Sequence, residues 1–314
     1  MKTYRSMGEL PLGGVRRAVA IGTFDGVHLG HRAVIGRAVE LGRERGIASM
    51  ALTFEPHPIA VLRPDLKPTV LTSLELKARL IADTGVDELL ILPFTRAFSR
   101  IRADRFVDMI TSPPVGAEVI VVGANFRFGH GGMGTAEGMR AYGRGRGVTV
   151  EVPELVSSPD GKPVSSTRVR RLVAEGRIDE VAVLLGRPHL LEGVVVPGDQ
   201  RGRAMGLPTA NLEPPAGAAV PGRGVYATRA HIAGRSCAAA VNVGFAPTFR
   251  ESGDRPPARV EAFLLDWDGP EDLYGLELRL EFLSRLRDER RFESPEALVA
   301  QIHEDIARTR EIAR

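Results

Sequence analysis

Two histidines three residues apart, His28 and His31, stand in the stretch IGTFDGVHLGHR, residues 21–32. The apolar segment at residues 16–22 has the length and composition of a buried strand, and a glycine-containing turn ends it. From Ala33 onward, apolar residues recur at helical spacing. The histidines are therefore expected where a strand turns into a helix. Unsatisfied backbone N–H groups and the positive end of the helix dipole make such a junction suited to an anion, often a phosphate.

Three roles for this histidine pair are open. A metal site would need a third ligand, and the sequence contains neither an HExxH motif nor a cysteine cluster to supply one. A structural role, in which the rings satisfy backbone groups, is a common alternative. Donation to nucleotide phosphates would hold the charge that builds up in phosphoryl or nucleotidyl transfer. The preceding turn and the helix dipole favour this third role.

The composition excludes several classes of protein. With 314 residues, 43% apolar and 26% charged, the chain is typical of a globular protein with two domains. Its net charge of +3, without a long basic block, and its 5% aromatic content disfavour a nucleic-acid partner. No apolar run approaches the roughly 18 residues of a membrane span, and no secretory signal is visible. A single cysteine, Cys237, fits a reducing cytoplasm.

The first half of the chain alternates strands and helices. Continuous apolar runs of strand length lie at residues 47–54, 88–94 and 118–123, with helical stretches between them. This order predicts a parallel sheet covered on both faces, in which ligands bind outside the carboxyl ends of the strands. The histidine turn, the EPHP turn after residue 54 and the stretch GANFRFG all fall at such ends. We therefore expect them to share one site.

The pattern changes in the second half. Short β-like runs separated by glycine- and proline-rich turns begin at Leu191, which predicts an antiparallel barrel or sandwich. A C-terminal helix is expected after Ser294, with Ser294 as N-cap and Pro295 at the first helical position. The domain boundary is placed so that the two domains span residues 1–186 and 187–314.

Two glycine-rich stretches could bind phosphates. GHGGMG matches the dinucleotide fingerprint GxGxxG, but residues 124–128, which include NFRF, separate it from the preceding strand, so the match is a weak one. In residues 193–212, glycines at 198, 202 and 206 would let backbone amides approach a phosphate, and the oxygens of Thr209 and Asn211 suit magnesium. A hairpin with a long turn explains this second stretch equally well. The chain has no GxxxxGK[ST] motif, so a kinase activity would not use a P-loop.

Four ordered motifs give the first half a family resemblance. GTFDGVHLGH, TFEPHP, VVGANFRFG and SSTRVR resemble, in this order, the adenylyltransferase module of bifunctional riboflavin kinase/FAD synthetases. The resemblance implies a Rossmann-like nucleotidyltransferase domain, in which His28 and His31 stabilise the ATP phosphates during attack by the FMN phosphate. It further implies residues for ATP: Gly22, Phe24, Asp25, Asn125, Ser166, Thr167 and Arg168. It also implies residues for the flavin: Phe54, Pro56, His57 and Phe126.

The second half resembles the riboflavin kinase module of the same family. The motifs are GLPTAN with the preceding spaced glycines, then GVYA, NVGFAPTF, VEAFLLDW and DLYG. The resemblance implies a six-stranded antiparallel barrel with a C-terminal helix. It assigns Thr209 and Asn211 to magnesium and ATP, makes Glu261 the base that accepts the proton of the ribityl 5′-hydroxyl, and places Arg287 and Phe292 near the flavin. Gly198, Gly202 and Gly206 are expected around the ATP.

The expected protein is therefore a cytoplasmic, bifunctional, Mg²⁺-dependent enzyme. It would convert riboflavin and ATP to FMN and ADP, and then FMN and a second ATP to FAD and pyrophosphate. A non-catalytic flavin- or nucleotide-binding regulator with the same fold is the competing hypothesis. The presence of His28, His31, Thr209, Asn211 and Glu261 favours the enzyme. No membrane or nucleic-acid partner is expected, and the sequence leaves the oligomeric state open.

Overall fold

The protein divides into two compact units. The computed structural model describes residues 1–198, 209–245, 258–290 and 292–314. The first unit contains Met1–Pro68 and Leu74–Ser166, and the second contains Thr69–Ser73 and Thr167–Arg314. These units change over at Ser166/Thr167, earlier in the chain than the domain boundary expected after residue 186. No helix within the described ranges is long and apolar enough to cross a membrane.

A six-stranded parallel sheet forms the centre of the first unit. Its strands are β1 (Lys2–Tyr4), β2 (Arg17–Ile21), β3 (Ala48–Glu55), β4 (Glu88–Pro93), β5 (Ala117–Val122) and, later in the chain, β8 (Thr149–Glu151). In space their order is β1-β4-β3-β2-β5-β8. A separate two-stranded hairpin consists of β6 (Arg127–Phe128) and β7 (Gly134–Thr135). The predicted parallel α/β architecture is confirmed.

Helices cover both faces of this sheet. They are α1 (Leu29–Arg45), α2 (Pro58–Leu62), α3 (Leu74–Ala82), α4 (Ala103–Thr111) and α5 (Ala136–Arg144). Every residue of β2 is buried, and its side chains alternate between two apolar clusters. Val19 and Ile21 belong to one cluster, whereas Ala18 and Ala20 belong to the other. This is the pattern of a strand covered on both sides, which explains why its sequence is continuously apolar.

A closed antiparallel barrel dominates the second unit. Two helices precede it, α6 (Ser166–Ala174) and α7 (Ile178–Leu185). Its strands are β9 (His189–Val196), β10 (Thr209–Glu213), β11 (Gly224–Ile232), β12 (Arg235–Phe245), β13 (Ala258–Leu264) and β14 (Glu277–Arg287). In space they are ordered β10-β13-β12-β11-β14-β9, and β9 closes the barrel by pairing with β10. The predicted six-stranded barrel is confirmed.

The predicted C-terminal helix is α8 (Pro295–Ile312). The Ser294 hydroxyl accepts a hydrogen bond from the Ala297 backbone N–H at 3.2 Å, so Ser294 is the N-cap, as predicted. Such a bond satisfies one of the backbone donors that the first turn of a helix leaves without a partner.

Cys237 lies in β12 and is partly buried against the barrel core. Burial, followed by the nearby negative charges of Asp266 and Asp268, raises the pKa of its thiol to about 11. Since the thiolate is the reactive form, the folded protein should react slowly with iodoacetamide near pH 8. We expect a rate on the order of 10²-fold below that of glutathione, measured by mass spectrometry. In urea the two rates should converge, and equal rates in the folded protein would contradict this account.

A buried ion pair closes the end of the sheet opposite the predicted site. Arg17 is fully buried and its Nε donates to Glu88 Oε2 at 2.5 Å, while its Nη1 donates to the carbonyls of Pro114 and Val115. The guanidinium therefore ties β2 to β4 and to the segment before β5. Because its partner carboxylate is only 10% exposed, removing the arginine would leave a buried charge without compensation.

We therefore expect Arg17→Met to lower the free energy of unfolding by about 3–5 kcal/mol. The matched control is Arg16→Met, since the Arg16 side chain is 66% exposed and pairs with Glu118 at 2.8 Å. That exposed pair should contribute about 0–1 kcal/mol. Urea unfolding followed by circular dichroism measures both effects, and fluorescence of the single tryptophan, Trp267, follows the second unit separately. Equal losses in the two variants would refute the assignment.

Candidate active sites

The three motifs predicted to share a site follow three neighbouring strands. The histidine turn follows β2, the EPHP turn follows β3 and the GANFRFG stretch follows β5. β2 lies between β3 and β5 and pairs in parallel with each of them. Their carboxyl ends therefore lie at one edge of the sheet. The Thr53 hydroxyl donates to the Thr23 carbonyl at 3.0 Å and ties the end of β3 to the turn after β2.

The turn between β2 and α1 has an unusual backbone. Phe24 and Val27 have φ angles of 48° and 41°, although neither is glycine, and both are buried. Such conformations cost of the order of 1–3 kcal/mol each and occur often at ligand sites. A Cβ at position 22 would lie 2.7 Å from the Phe24 ring, so only glycine fits there. Burial of the two apolar side chains holds the strained turn in place.

His28 and His31 lie side by side at the start of α1. His28 Nδ1 accepts a hydrogen bond from the His31 backbone N–H at 3.2 Å, which makes His28 the N-cap. Their rings stack with centroids 3.6 Å apart and planes 15° apart. Gly30 leaves the necessary room, because a Cβ there would lie 3.2 Å from His28 Cε1. The helix starts at Leu29 rather than Ala33 because a side chain caps it, which apolar spacing does not reveal.

This geometry constrains the protonation of the pair. Since His28 Nδ1 accepts a hydrogen bond, the neutral ring carries its proton on Nε2 and donates from there. His28 is 5% exposed, so it is held in a fixed orientation. Together with the amides at the start of α1, the pair forms a positively polarised corner suited to an anion.

The SSTR motif reaches the same turn through its second serine. The Ser166 hydroxyl donates to the Asp25 carbonyl at 2.9 Å, and Asp25 itself is buried. Thr167 and Arg168 are the next two residues of α6 and belong to the second unit. Within the first unit, the structure therefore brings Ser166 together with the histidine turn.

The residues predicted to bind flavin in this unit lie at the same sheet edge. Phe54 is buried at the end of β3, with its ring 5.9 Å from Phe94 and 5.8 Å from Phe98. Further ring contacts extend this cluster through Phe106 and Phe128 to Phe126. A contiguous aromatic cluster thus connects the TFEPHP and NFRFG motifs.

The EPHP turn is held by polar contacts. Pro56 is exposed, and His57 Nδ1 accepts from the Ile59 backbone N–H at 3.2 Å, so His57 caps α2. Lys77, which the sequence analysis missed, packs its nearly buried ammonium group 3.5 Å from Glu55 Oε2. In the sequence, a lysine on the buried face of a helix looks the same as a lysine on its solvent-exposed face. Only the packing of the structure shows that Lys77 is buried.

Asn125 is exposed in the turn that follows β5, one residue before Phe126. The GHGGMG stretch begins beyond that turn, and its glycines run through a short 3₁₀ helix into β7. The hairpin of β6 and β7 therefore lies between β5 and α5. A dinucleotide fingerprint requires glycines directly between strand and helix, and this stretch does not have that arrangement.

In the barrel, the predicted base and one predicted metal ligand are direct neighbours. Asn211 on β10 is registered opposite Glu261 on β13, which is registered in turn opposite Asn242 on β12. Directly opposed residues share a face. The adjacent residues Ala210 and Ala262 point into the barrel core. The row of Asn211, Glu261 and Asn242 therefore lies on the outer face of the barrel. Asn242 was missed by the sequence analysis, because only strand register brings it to Glu261.

Gly198 and Asn211 are also in contact. A Cβ at position 198 would overlap the Asn211 side chain, so this glycine provides the space for the amide. Thr209 is exposed at the start of β10. Gly202 and Gly206 lie outside the described residues.

Hydroxyl and amide oxygens are suitable Mg²⁺ ligands, and Thr209 and Asn211 supply both types at one end of β10. Within the described part of the chain, no group of three or more His, Cys, Asp or Glu could hold a metal ion. These residues fit a magnesium ion that takes few protein ligands and completes its coordination with substrate phosphates and water.

Arg287 and Phe292, the predicted flavin neighbours, lie close together. The Arg287 guanidinium is 5.6 Å from the centre of the Phe292 ring and forms an ion pair with the buried Asp305 of α8, with Nη2 2.7 Å from Oδ2. This pair ties the end of β14 to α8. Glu289, in the segment between them, lies beside β12, since its Oε1 would be 3.3 Å from a Cβ at Gly244. Glu289 thus borders the row that contains Asn242 and Glu261.

Comparison with known proteins gives matches over both halves. A family model described as FAD synthetase matches residues 15–168, and one described as riboflavin kinase matches residues 185–313. A bifunctional riboflavin kinase/FMN adenylyltransferase from Listeria monocytogenes is 34% identical over 94% of this chain and 92% of its own length. One from Pseudomonas fluorescens is 38% identical over 93% of this chain and 92% of its own.

A solved structure from Streptococcus pneumoniae, described as a macrolide-efflux protein, also resembles this chain. It is 29% identical, its TM-score is 0.84, and the alignment covers 98% of both chains.

The capping role of His28 can be separated from any chemistry. His28→Ala removes the acceptor of the His31 N–H and should cost about 0.5–2 kcal/mol of stability. His28→Asn places an amide oxygen near the position of Nδ1 and should keep most of the cap. Urea unfolding of the two variants measures the difference. If Asn destabilises the protein as much as Ala, the capping role is wrong.

Proposed function

The chain belongs to the family of bifunctional riboflavin kinases/FMN adenylyltransferases, and we propose that its two units divide the two reactions between them. The enzyme phosphorylates riboflavin to FMN with ATP, and it then transfers AMP from a second ATP to FMN, giving FAD and pyrophosphate. The observation that carries the proposal is that the proposed reacting groups of the two reactions lie in different units, although Thr167 and Arg168 of the SSTR motif fall in the second. The histidine pair lies in the first unit and the row through Glu261 in the second.

In the first unit, His28 and His31 would act on ATP during adenylyl transfer. The FMN phosphate attacks the α-phosphorus of ATP, a P–O bond forms, and pyrophosphate leaves with the electrons of the broken bond. His28 Nε2–H and the amides at the start of α1 would stabilise the negative charge that grows during this step, and the position of His28 at the N-cap of α1 supports this role. No covalent intermediate is needed, because positioning and charge stabilisation suffice for such transfers.

The other predicted residues of this reaction would bind its two substrates. Residues proposed for ATP are Gly22, Phe24, Asp25, Asn125, Ser166, Thr167 and Arg168. Residues proposed for the flavin are Phe54, Pro56, His57 and Phe126, and the contiguous aromatic cluster supports an apolar surface for the isoalloxazine ring.

In the second unit, Glu261 would be the general base of the kinase reaction. Its carboxylate accepts the proton of the ribityl 5′-hydroxyl, whose oxygen attacks the γ-phosphorus of ATP, and ADP leaves. Thr209 and Asn211 would hold a magnesium ion, whose positive charge would offset the negative charge on the transferring phosphate. Gly198 leaves space for Asn211, and Gly202 and Gly206 are proposed to complete the ATP site. Arg287 and Phe292 would border the flavin.

We also propose that the enzyme acts in the cytoplasm, where a single partly buried cysteine remains reduced. Its small-molecule partners are riboflavin, FMN, FAD, ATP, ADP and pyrophosphate. The first experiment is a time course with riboflavin, ATP and MgCl₂, in which chromatography separates the three flavins. FMN that appears and then gives way to FAD is the expected result. Unchanged riboflavin would favour a binding protein over an enzyme.

Two single variants should separate the reactions. Glu261→Gln removes the proton acceptor and should lower riboflavin phosphorylation by roughly 10²- to 10⁴-fold. When supplied with FMN, the same variant should form FAD at the wild-type rate. His28→Asn should show the opposite pattern, with normal FMN formation and loss of FAD formation. A variant that loses both activities while remaining folded would argue against a division between the units.

A further inference from the structure

Glu261 has a charged neighbour on its own strand. Arg259 Nε lies 2.6 Å from Glu261 Oε1, and the two residues share a face of β13 because they are two positions apart. The side chains of Arg259 and Glu261 are 42% and 27% exposed, respectively. This arginine has no part in the mechanism proposed above. In sequence, an arginine on a polar strand face looks like a solvated residue.

The position opposite Arg259 leaves the guanidinium room. Arg259 is registered opposite Gly244 on β12, which has no side chain to occupy the outer face. Glu289, which follows β14 in the chain, extends into the space beside Gly244. Its Oε1 lies 3.3 Å from the point that a Cβ on Gly244 would occupy. The neighbourhood of Arg259 therefore contains two carboxylates, Glu261 and Glu289, and Asn242 beside them. Such a charge distribution stabilises a cation on this face.

The ion pair matters for a base that works beside ATP. A lone carboxylate next to a polyphosphate is repelled by it and can rotate away, whereas a guanidinium bonded to one oxygen offsets the charge and fixes the rotamer. The contact holds the Glu261 carboxylate, which must take the hydroxyl proton, in one orientation. In that step the hydroxyl oxygen bonds to the γ-phosphorus, and ADP leaves with the electrons of the broken P–O bond.

We propose that Arg259 is a positioning residue that holds Glu261 for proton transfer in riboflavin phosphorylation. The inference rests on the proposed function, because it requires Glu261 to be the base. It predicts that Arg259 affects the chemical step more than riboflavin binding, and that it acts only through Glu261.

The test compares Arg259→Gln, which removes the charge and shortens the side chain but keeps a hydrogen-bond donor, with Arg259→Lys, which restores a cation. For Arg259→Gln we expect kcat of riboflavin phosphorylation to fall about fivefold, because an ion pair that is partly exposed to water contributes only modestly. The KM for riboflavin should change less than about twofold. Arg259→Lys should recover most of kcat. The matched control is Arg235→Gln, which breaks an exposed pair with Asp268 on the same barrel and should leave kcat unchanged.

A double-variant cycle decides whether Arg259 acts through the base. In a Glu261→Gln background, Arg259→Gln should cause no further loss, whereas an equal loss in both backgrounds would overturn the inference. An unchanged kcat in the single variant, or a change confined to KM, would overturn it as well. FAD formation from FMN, measured on the same preparations, should stay at the wild-type rate. If Glu261→Gln alone left phosphorylation intact, the proposed base itself would be wrong, which is a different outcome.

Discussion

The parallel pairing of β2 with β3 and β5 determines where the first unit can place its functional groups. Because the three strands run in the same direction, their carboxyl ends reach one edge of the sheet, and three turns of unrelated sequence start there. The strained turn after β2 depends on this packing, since Phe24 and Val27 keep their left-handed backbone only while they are buried. The sheet thus holds His28 at the start of α1 in one orientation.

Antiparallel register plays the corresponding part in the barrel. Side chains alternate between core and outer face, so the same pairing that buries Val260 and Ala262 turns Glu261 outward. A slip of one residue on β13 would bring Glu261 into the apolar core and separate it from Asn211 and Asn242. The same register therefore determines both the stability of the barrel and the position of the proposed base. Closure of the barrel strengthens it, because a closed sheet has no edge at which a strand can slip.

The sequence predicted those elements whose burial leaves a pattern. β2 to β5 are continuous apolar runs, and their existence and direction were predictable. β1 and β8 were not predicted, because each has three residues at an edge of the sheet and carries no such run. β10 is absent from the β-like runs that the sequence shows, since only Ala210 and Leu212 of its five residues face the core. Each of these segments forms a strand because it pairs with a neighbouring strand, and not because its own residues strongly prefer the β conformation.

The two sites differ in how far apart their residues lie in the chain, and this decides what a motif can reveal. In the first unit, Gly22 to His31 are contiguous in the chain, so their spacing alone predicts a histidine pair at a helix start, and the structure adds that the two rings stack. In the second, Asn211, Asn242 and Glu261 come from three strands, and only register shows that they are neighbours. Arg259 is close in sequence to Glu261, but its proposed role depends on Gly244, which lies opposite it on β12 and has no side chain there. A motif names the groups that react, whereas strand pairing determines which residues can orient them.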